Sequence, residues 1–402
     1  MTLLPLPYLQ HPCIEWLTLT AWGKKHVMVN VFGKKTCIIN SAEVASELLA
    51  SGGSAKKYSE RPNFVMVKEL MGWDFNLGFM NLSNPTYLEH RQNFVQALSP
   101  KNSDAYMPIQ THETILLLQR LLESPARFEE HIKSSIGSVM MRTAFGYQPT
   151  ENDPLVRIAE EAMHVMVKAG RPGAHLVDVL PILKYVPEWF PGAQFKRVAR
   201  EGYKLAQELQ NGAWSWATDQ YEKGTAKESV FTFLMDKVAR GADVKRVKED
   251  CALLYATGTD TIASSVLTFV LAMLHAPEVQ RRAQEELDRV TGKGRLPTFE
   301  DSADLPYITA IAKESLRWES VTPLGLPHAL KEDDIYAGYF IPAGTTVLAN
   351  QWAMSHNESV YPDPMSFKPE RFLHGEKVRE PNTIAFGWGR RICPGRFLAE
   401  NR

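Results

Sequence analysis

The sequence predicts a mainly α-helical fold with small β-sheets, built around one long buried central helix. Three features carry that prediction. Residues 250–276 are apolar nearly all the way round, as befits a helix sunk in a large core. Helical periodicity dominates 104–123, 128–146 and 154–169. Strand-like runs are short and confined to 26–40 and 335–349.

Taken in order, 26–40 reads as a β-hairpin turning at Gly33-Lys34-Lys35. A helix over 41–50 follows, capped by Ser41, with Glu43 in its first turn and Val44, Leu48 and Leu49 on its apolar face. Tyr58-Ser-Glu-Arg-Pro62 breaks the pattern, and 64–80 is rich in Met, Phe, Trp and Leu without a clean period. Tyr87-Leu-Glu-His-Arg91 opens the next helix. After the three periodic helices, 171–194 is punctuated by proline, glycine and aromatic residues, and a long amphipathic helix runs on to about Tyr221. Beyond the central helix come a charged helix over 279–290 and a helix over 307–318. In the latter Glu314 and Arg317, three apart, share a face and can pair. An extended segment over 321–328 and a strand pair over 335–341 and 345–349 complete the pattern.

The 402 residues are 44% hydrophobic and 23% charged, with net charge −1, an ordinary globular balance with length enough for a large core. No linker, repeat or low-complexity block divides the chain, so it reads as a single domain over 1–402. The near-neutral charge gives no footprint for nucleic acid. Cys13, Cys37, Cys251 and Cys393 are scattered, without zinc-like spacing, which points to a reducing compartment. No segment reaches the roughly 18 apolar residues of a membrane span. Residues 1–22, broken by Pro5, Pro7, His11, Pro12 and Glu15, read as neither signal peptide nor anchor.

Two stretches carry chemistry. Thr257-Gly258-Thr259-Asp260-Thr261 is a polar insert in the apolar central helix, where Gly258 costs about 1 kcal/mol relative to Ala. A buried Asp260 needs partners. The alternative is bland: threonine hydroxyls bonded back to i−4 carbonyls and Asp260 facing solvent. The second stretch is Phe386-Gly-Trp-Gly-Arg-Arg-Ile-Cys-Pro-Gly395. A lone cysteine in a Gly-rich turn, beside two arginines and ahead of an amphipathic run, suggests a thiolate at a helix N-terminus, with a lowered pKa and Pro394 at the first helical position. Gly387, Gly389 and Gly395 would let the backbone approach a flat partner.

That second string resembles the haem-binding loop of the cytochrome P-450 superfamily, F-x-x-G-x-R-x-C-x-G, through Phe386, Gly389, Arg391, Cys393 and Gly395. The resemblance implies the cytochrome P-450 fold, its long central helix lying over haem b, with the iron ligated by the Cys393 thiolate. Thr257 to Thr261 matches the family's [A/G]-G-x-[D/E]-T, which implies a helix bulged over the haem and proton delivery by Asp260 and Thr261. Thr257 replaces the usual small residue there and Ile262 the usual hydroxyl. Tyr87 to Arg91 resembles W-x-x-x-R, with Tyr87 in place of Trp, and implies that Arg91 pairs with a haem propionate. His328 stands where the family often has a cation for the second propionate, and Phe386, Gly387, Arg391 and Gly395 belong to the cofactor loop. Glu314-Ser-Leu-Arg317 with Arg371 matches the family's structural triad. Residues 64–80 and 171–194 fall where relatives have the loop over the distal haem face and the substrate-access lid.

The implied function is a haem-dependent monooxygenase that inserts one atom of O₂ into a lipophilic small organic molecule. With no G-x-G-x-x-G nucleotide loop, electrons would come from a separate NADPH-dependent reductase. The wording resembles fungal, microsomal-type members of secondary metabolism, at the cytosolic face of the endoplasmic reticulum with peripheral membrane contact. Relatives usually start with an anchor and continue past the cysteine helix into a hairpin, so the chain reads as shortened at both ends, or soluble, and as a poor binder of haem. The alternatives are a non-catalytic remnant and a thiolate-haem isomerase or dehydratase.

Overall fold

The computed structural model describes residues 25–400 apart from 32, 151, 172 and 374–377. The expectation for 1–22 therefore lies outside the described residues. The chain clusters into two compact units, one made of 63–275, 284–305 and 393–402, the other of 1–62, 276–283 and 306–392.

The first unit is helical. Its main elements are α1 (Tyr87–Ala97), α2 (Met107–Glu123), α3 (Phe128–Phe145), α4 (Pro154–Ala169), α5 (Gln194–Glu222), α6 (Val230–Val238) and α7 (Val244–His275). Local chemistry sets their ends. Gly146, at φ 71°, takes the left-handed position that closes α3. Asp153 caps α4 by accepting from the Leu155 amide at 2.9 Å, with Pro154 in the first turn. Ser229 and Thr232 form a reciprocal capping box on α6.

Helix α7 is central to this unit and packs against α1, α3, α4, α5 and α6. Its first half is buried from Cys251 through Ala256, whereas Thr261, Phe269 and Leu274 reach the surface. It begins six residues before the predicted start, because its first turns are polar and conceal the helix from an apolar-run search. By length and composition alone α7 would also qualify as a membrane span, an 18-residue window of it having a mean hydropathy of 1.4. Thr, Asp and Ser interrupt it, so it contains no unbroken apolar run of that length. It packs on five neighbours, mainly through its buried first half, and 22% of that window is buried. Helix α7 is α-helical from end to end, so the bulge implied by the family resemblance is not formed here.

The second unit mixes strands and helices. Strands β1 (His26–Val31) and β2 (Lys34–Ile39) form the predicted hairpin, but Val31 pairs with Lys34, so Lys34 and Lys35 belong to the strand and not to the turn. Strand β3 is His328–Ala329, and β4 (Asp334–Tyr336) and β5 (Tyr339–Ile341) form a hairpin of their own. Ala337 and Gly338 turn that hairpin at φ 50° and 81°. Strand β6 (Thr346–Ala349) does not pair with it as the sequence suggested; it lies parallel to β2, giving the order β1-β2-β6-β3. Ser41 caps the predicted helix, accepting from the Val44 amide at 3.4 Å. Helix α8 (Pro306–Trp318) carries Glu314 and Arg317. The apolar core includes Ile39, Leu48, Leu49, Tyr58, Val347 and Trp388.

Candidate active site

In the helical unit, Cys393 sits in the turn before a four-residue helix, Arg396–Ala399, whose N-cap is Gly395. Pro394 therefore lies ahead of the cap and not at the first helical position. The Gly395 backbone N–H donates to the Cys393 sulfur, and Arg91 and Arg396 supply positive charge nearby; all three favour the thiolate. Burial outweighs them and pushes the thiol pKa up, so the lowered value expected from sequence is not realised by the protein alone. Arg91 is itself held below its ordinary value by burial, with Tyr87 and Cys393 pulling the other way. The structure thus brings Arg91 of α1 near the cysteine, with Tyr87 near Arg91.

The polar insert of α7 takes the backbone-bonded form. Thr257, Thr259 and Thr261 each donate through Oγ1 to the carbonyl four residues earlier, at 2.7, 2.8 and 2.8 Å. Thr261 and Asp260 are exposed, yet the Asp260 carboxyl is crowded enough that burial raises its pKa, with Lys133 and His164 pulling it down. Gly258 serves packing: a Cβ there would overlap Met140 of α3.

In the second unit the triad is assembled and dry. Glu314 and Arg317 are 0% exposed and Arg371 7%. Arg317 binds Glu314 in a two-pronged pair at 2.8 and 2.7 Å, and Arg371 Nε reaches Glu314 Oε1 at 3.4 Å. The remaining donors go to main-chain carbonyls of Ser355, Pro362, Asp363 and Ser366, and Glu314 also accepts the Lys368 amide. One carboxylate thereby organises the segment leading towards the cysteine turn.

That turn begins in the same unit. Phe386 is partly buried, Gly387 has φ 77°, and Arg391 Nε donates to the Ser59 carbonyl at 2.8 Å. Gly389 is required at φ 53°, because a Cβ would overlap the Leu49 carbonyl; its close approach is to its own chain. His328 is buried and donates from Nδ1 to the Tyr58 carbonyl at 2.8 Å. Burial, then Arg61, hold its pKa far below the usual range, and Arg391 adds to this. The expected cation at His328 is therefore a neutral imidazole, and the positive charge around it comes from Arg61 and Arg391. Arg61 was not foreseen; its only sequence signal is its place before Pro62.

Among the described residues, no three His, Cys, Asp or Glu side chains converge as metal ligands. Cys393 is a single sulfur donor with an amide aimed at it and cations beside it. Such a donor is poor for a bare ion and fits a metal that arrives already held in its own ring, as haem iron does.

Comparison with known proteins agrees with this fit. The family profile described as Cytochrome P450 matches residues 20–402. Cytochrome P450 monooxygenase 98 of Postia placenta is 40% identical over 397 residues, covering 96% of this chain and 76% of its own. Tryptamine 4-monooxygenase of Psilocybe cyanescens is 35% identical over 400 residues, covering 96% and 78%. Among solved structures, a zebra fish cytochrome P450 with progesterone superposes with TM-score 0.79 at 22% identity, covering 97% of this chain and 89% of that one. That last likeness is one of fold.

Proposed function

This chain belongs to the cytochrome P450 family and is a monooxygenase, and from that premise we propose that Cys393 is the axial thiolate of a haem b. We propose further that the substrate is a lipophilic small organic molecule and that electrons come from a separate NADPH-dependent reductase. A role in secondary metabolism is proposed from the fungal relatives. The observation that carries the reading is the Cys393 sulfur, which accepts the Gly395 amide with Arg91 and Arg396 beside it.

When bound, a thiolate-held haem would supply activation of O₂ and transfer of one oxygen atom into a C–H or C=C bond, the other leaving as water. The chain's own residues bind, orient and move protons. Burial pushes the Cys393 thiol pKa up, so binding of haem iron by the thiolate would release a proton and should be favoured by rising pH. In the helical unit Arg91 would offer a cation to the cofactor's carboxylates; in the second unit Arg391 would offer another, and His328, being neutral, a hydrogen bond. Phe386, Gly387 and Gly395 complete the cofactor loop. Thr261 Oγ1, which donates to the Thr257 carbonyl at rest, would serve as a proton donor on turning away from it. Asp260, with its raised pKa, is suited to take a proton from solvent and pass it on. Exposed Leu176, Ile182, Tyr185 and Trp189 support peripheral membrane contact, at the cytosolic face of the endoplasmic reticulum.

The test is one spectrum. Reduced, CO-bound holoprotein should show the red-shifted Soret band of a thiolate complex, and Cys393→Ala should lose it. A band surviving in the variant would overturn the assignment.

A further inference from the structure

Behind Arg91 lies a buried polar chain that the reaction does not use. His90 is 0% exposed and meets Asp250 Oδ1 through Nδ1 at 2.6 Å. Asp250 Oδ2 accepts from Asn93 Nδ2 at 2.8 Å, and Asn93 Oδ1 accepts from Lys237 Nζ at 2.9 Å. Glu249 Oε2 lies 3.5 Å from His90 Nε2 and is itself paired with Arg246 at 2.7 Å. Directional bonds thus tie α1 to α6 and α7 inside the helical unit.

We propose that His90 is a positioning residue: clamped to Asp250, it sets the rotation of α1 and so holds Arg91 towards the Cys393 sulfur. The inference rests on the reading of Cys393 as the haem ligand. Its logic is geometric. One residue further along a helix is a turn of about 100°, so fixing His90 against α7 fixes where Arg91 points. Arg91 lies close enough to Cys393 to act on its charge, and Gly395 of the cysteine turn packs close to Leu98 at the end of α1: a Cβ on Gly395 would lie 3.9 Å from Leu98 Cδ1. An apolar residue at position 90 would fill the space without selecting a rotation, because packing is tolerant where hydrogen bonds are not. Burying an imidazole between two carboxylates is costly in stability, and its return is orientation.

The experiment is a double-mutant cycle on haemin titration of the apoprotein, with thermal melting read in parallel. His90→Phe should weaken haemin binding about tenfold to a hundredfold, as loss of a ligand-supporting contact does. In an Arg91→Gln background the same change should leave haemin affinity unaltered, while the melting temperature falls alike in both. His90→Asn, which keeps a donor where Nδ1 was, should retain most of the affinity, and it carries the test if His90→Phe does not fold. Equal loss of affinity in both backgrounds, or His90→Asn as weak as the Arg91 variant, would overturn the proposal. A wild type without the thiolate CO band would overturn the reading of Cys393 and this inference with it. The band intact with equal losses would overturn the inference alone.

Discussion

Gly258 and Met140 interlock: a Cβ built on Gly258 would overlap Met140 Cε and stand 2.9 Å from its sulfur and 3.3 Å from its Cγ. Met140 is fully buried, so the whole side chain, and not its flexible tip alone, has to move to make room. The glycine of the polar insert is therefore held in place by the packing of α3 on α7, whatever else it serves.

Gly258→Ala should accordingly destabilise the protein by about 1–3 kcal/mol through overpacking, despite a gain of about 1 kcal/mol in helix propensity. Met140→Ala opens a cavity alone, yet in the double variant the new methyl group partly fills it. Chemical denaturation of the four proteins should give a double loss smaller than the sum of the singles. Additive losses would show that the two residues do not share that space.

The triad makes a sharper prediction, because the Glu314 carboxylate is shared by two arginines and the Lys368 amide. Glu314→Gln leaves buried guanidinium charge without its partner and should cost about 3–5 kcal/mol. Arg317→Lys should not be a mild change. A point-like ammonium cannot make the two-pronged pair and also reach the Ser355 and Ser366 carbonyls. Urea midpoints of both variants decide; a midpoint within error of wild type for either would remove the triad from the list of stabilising features.

These parts were legible in the sequence because their signals are local. Glu314 and Arg317 are three residues apart on one helix, and Cys393 lies within a ten-residue string of unusual composition. The β4–β5 hairpin was read as one strand because Ala337-Gly338 is a weak turn signal beside Asn-Gly, although both residues take positive φ. What stayed hidden depends on distant partners. His90 and Asp250 are separated by 160 positions, and nothing in either neighbourhood announces the other. The same holds for Gly389, whose need for glycine comes from the Leu49 carbonyl. The direction of the Cys393 pKa was misjudged because burial, the larger effect, is a tertiary property.

Acid sensitivity follows from His356. Burial, then Arg317, lower its pKa to about 4, with the bond from Nδ1 to the Trp352 carbonyl opposing. The unfolded chain takes up this proton at its ordinary value of about 6.5, so below that pH the unfolded state binds more protons and stability falls with pH. The loss should accumulate from about 6.5 down to about 4 and then level. His356→Phe, which keeps the stack on Trp352 (centroids 4.2 Å, planes 16° apart), should flatten that window relative to wild type. Parallel stability–pH curves for the two proteins would rule His356 out as the source.

Thr261 carries the last prediction, because its hydroxyl is committed at rest to a bond that proton delivery would have to break. At rest it donates to the Thr257 carbonyl at 2.8 Å, with Asp260 beside it on the exposed side of α7. If it serves as the proton donor, the bond to Thr257 must be given up during turnover, a net cost of about 1 kcal/mol that a bound reactant can offset. Thr261→Ala removes the donor but leaves the helix bond ladder intact, so stability should change by less than about 1 kcal/mol. Without that hydroxyl to direct proton delivery, O₂ reduced by two electrons should take two protons from solvent and leave as hydrogen peroxide. Per NADPH consumed, product should fall steeply and peroxide rise by the same amount, towards one per NADPH, as befits loss of a positioned acid worth roughly 10²–10⁴ in rate. Thr261→Ser, which keeps the hydroxyl, should restore the product ratio, and Asp260→Asn should slow turnover without the same rise in peroxide. Peroxide yield measured against substrate product in the three variants separates relay from scaffold. An unchanged ratio in Thr261→Ala would mean that the hydroxyl only ever bonds the Thr257 carbonyl, and that the proton enters elsewhere.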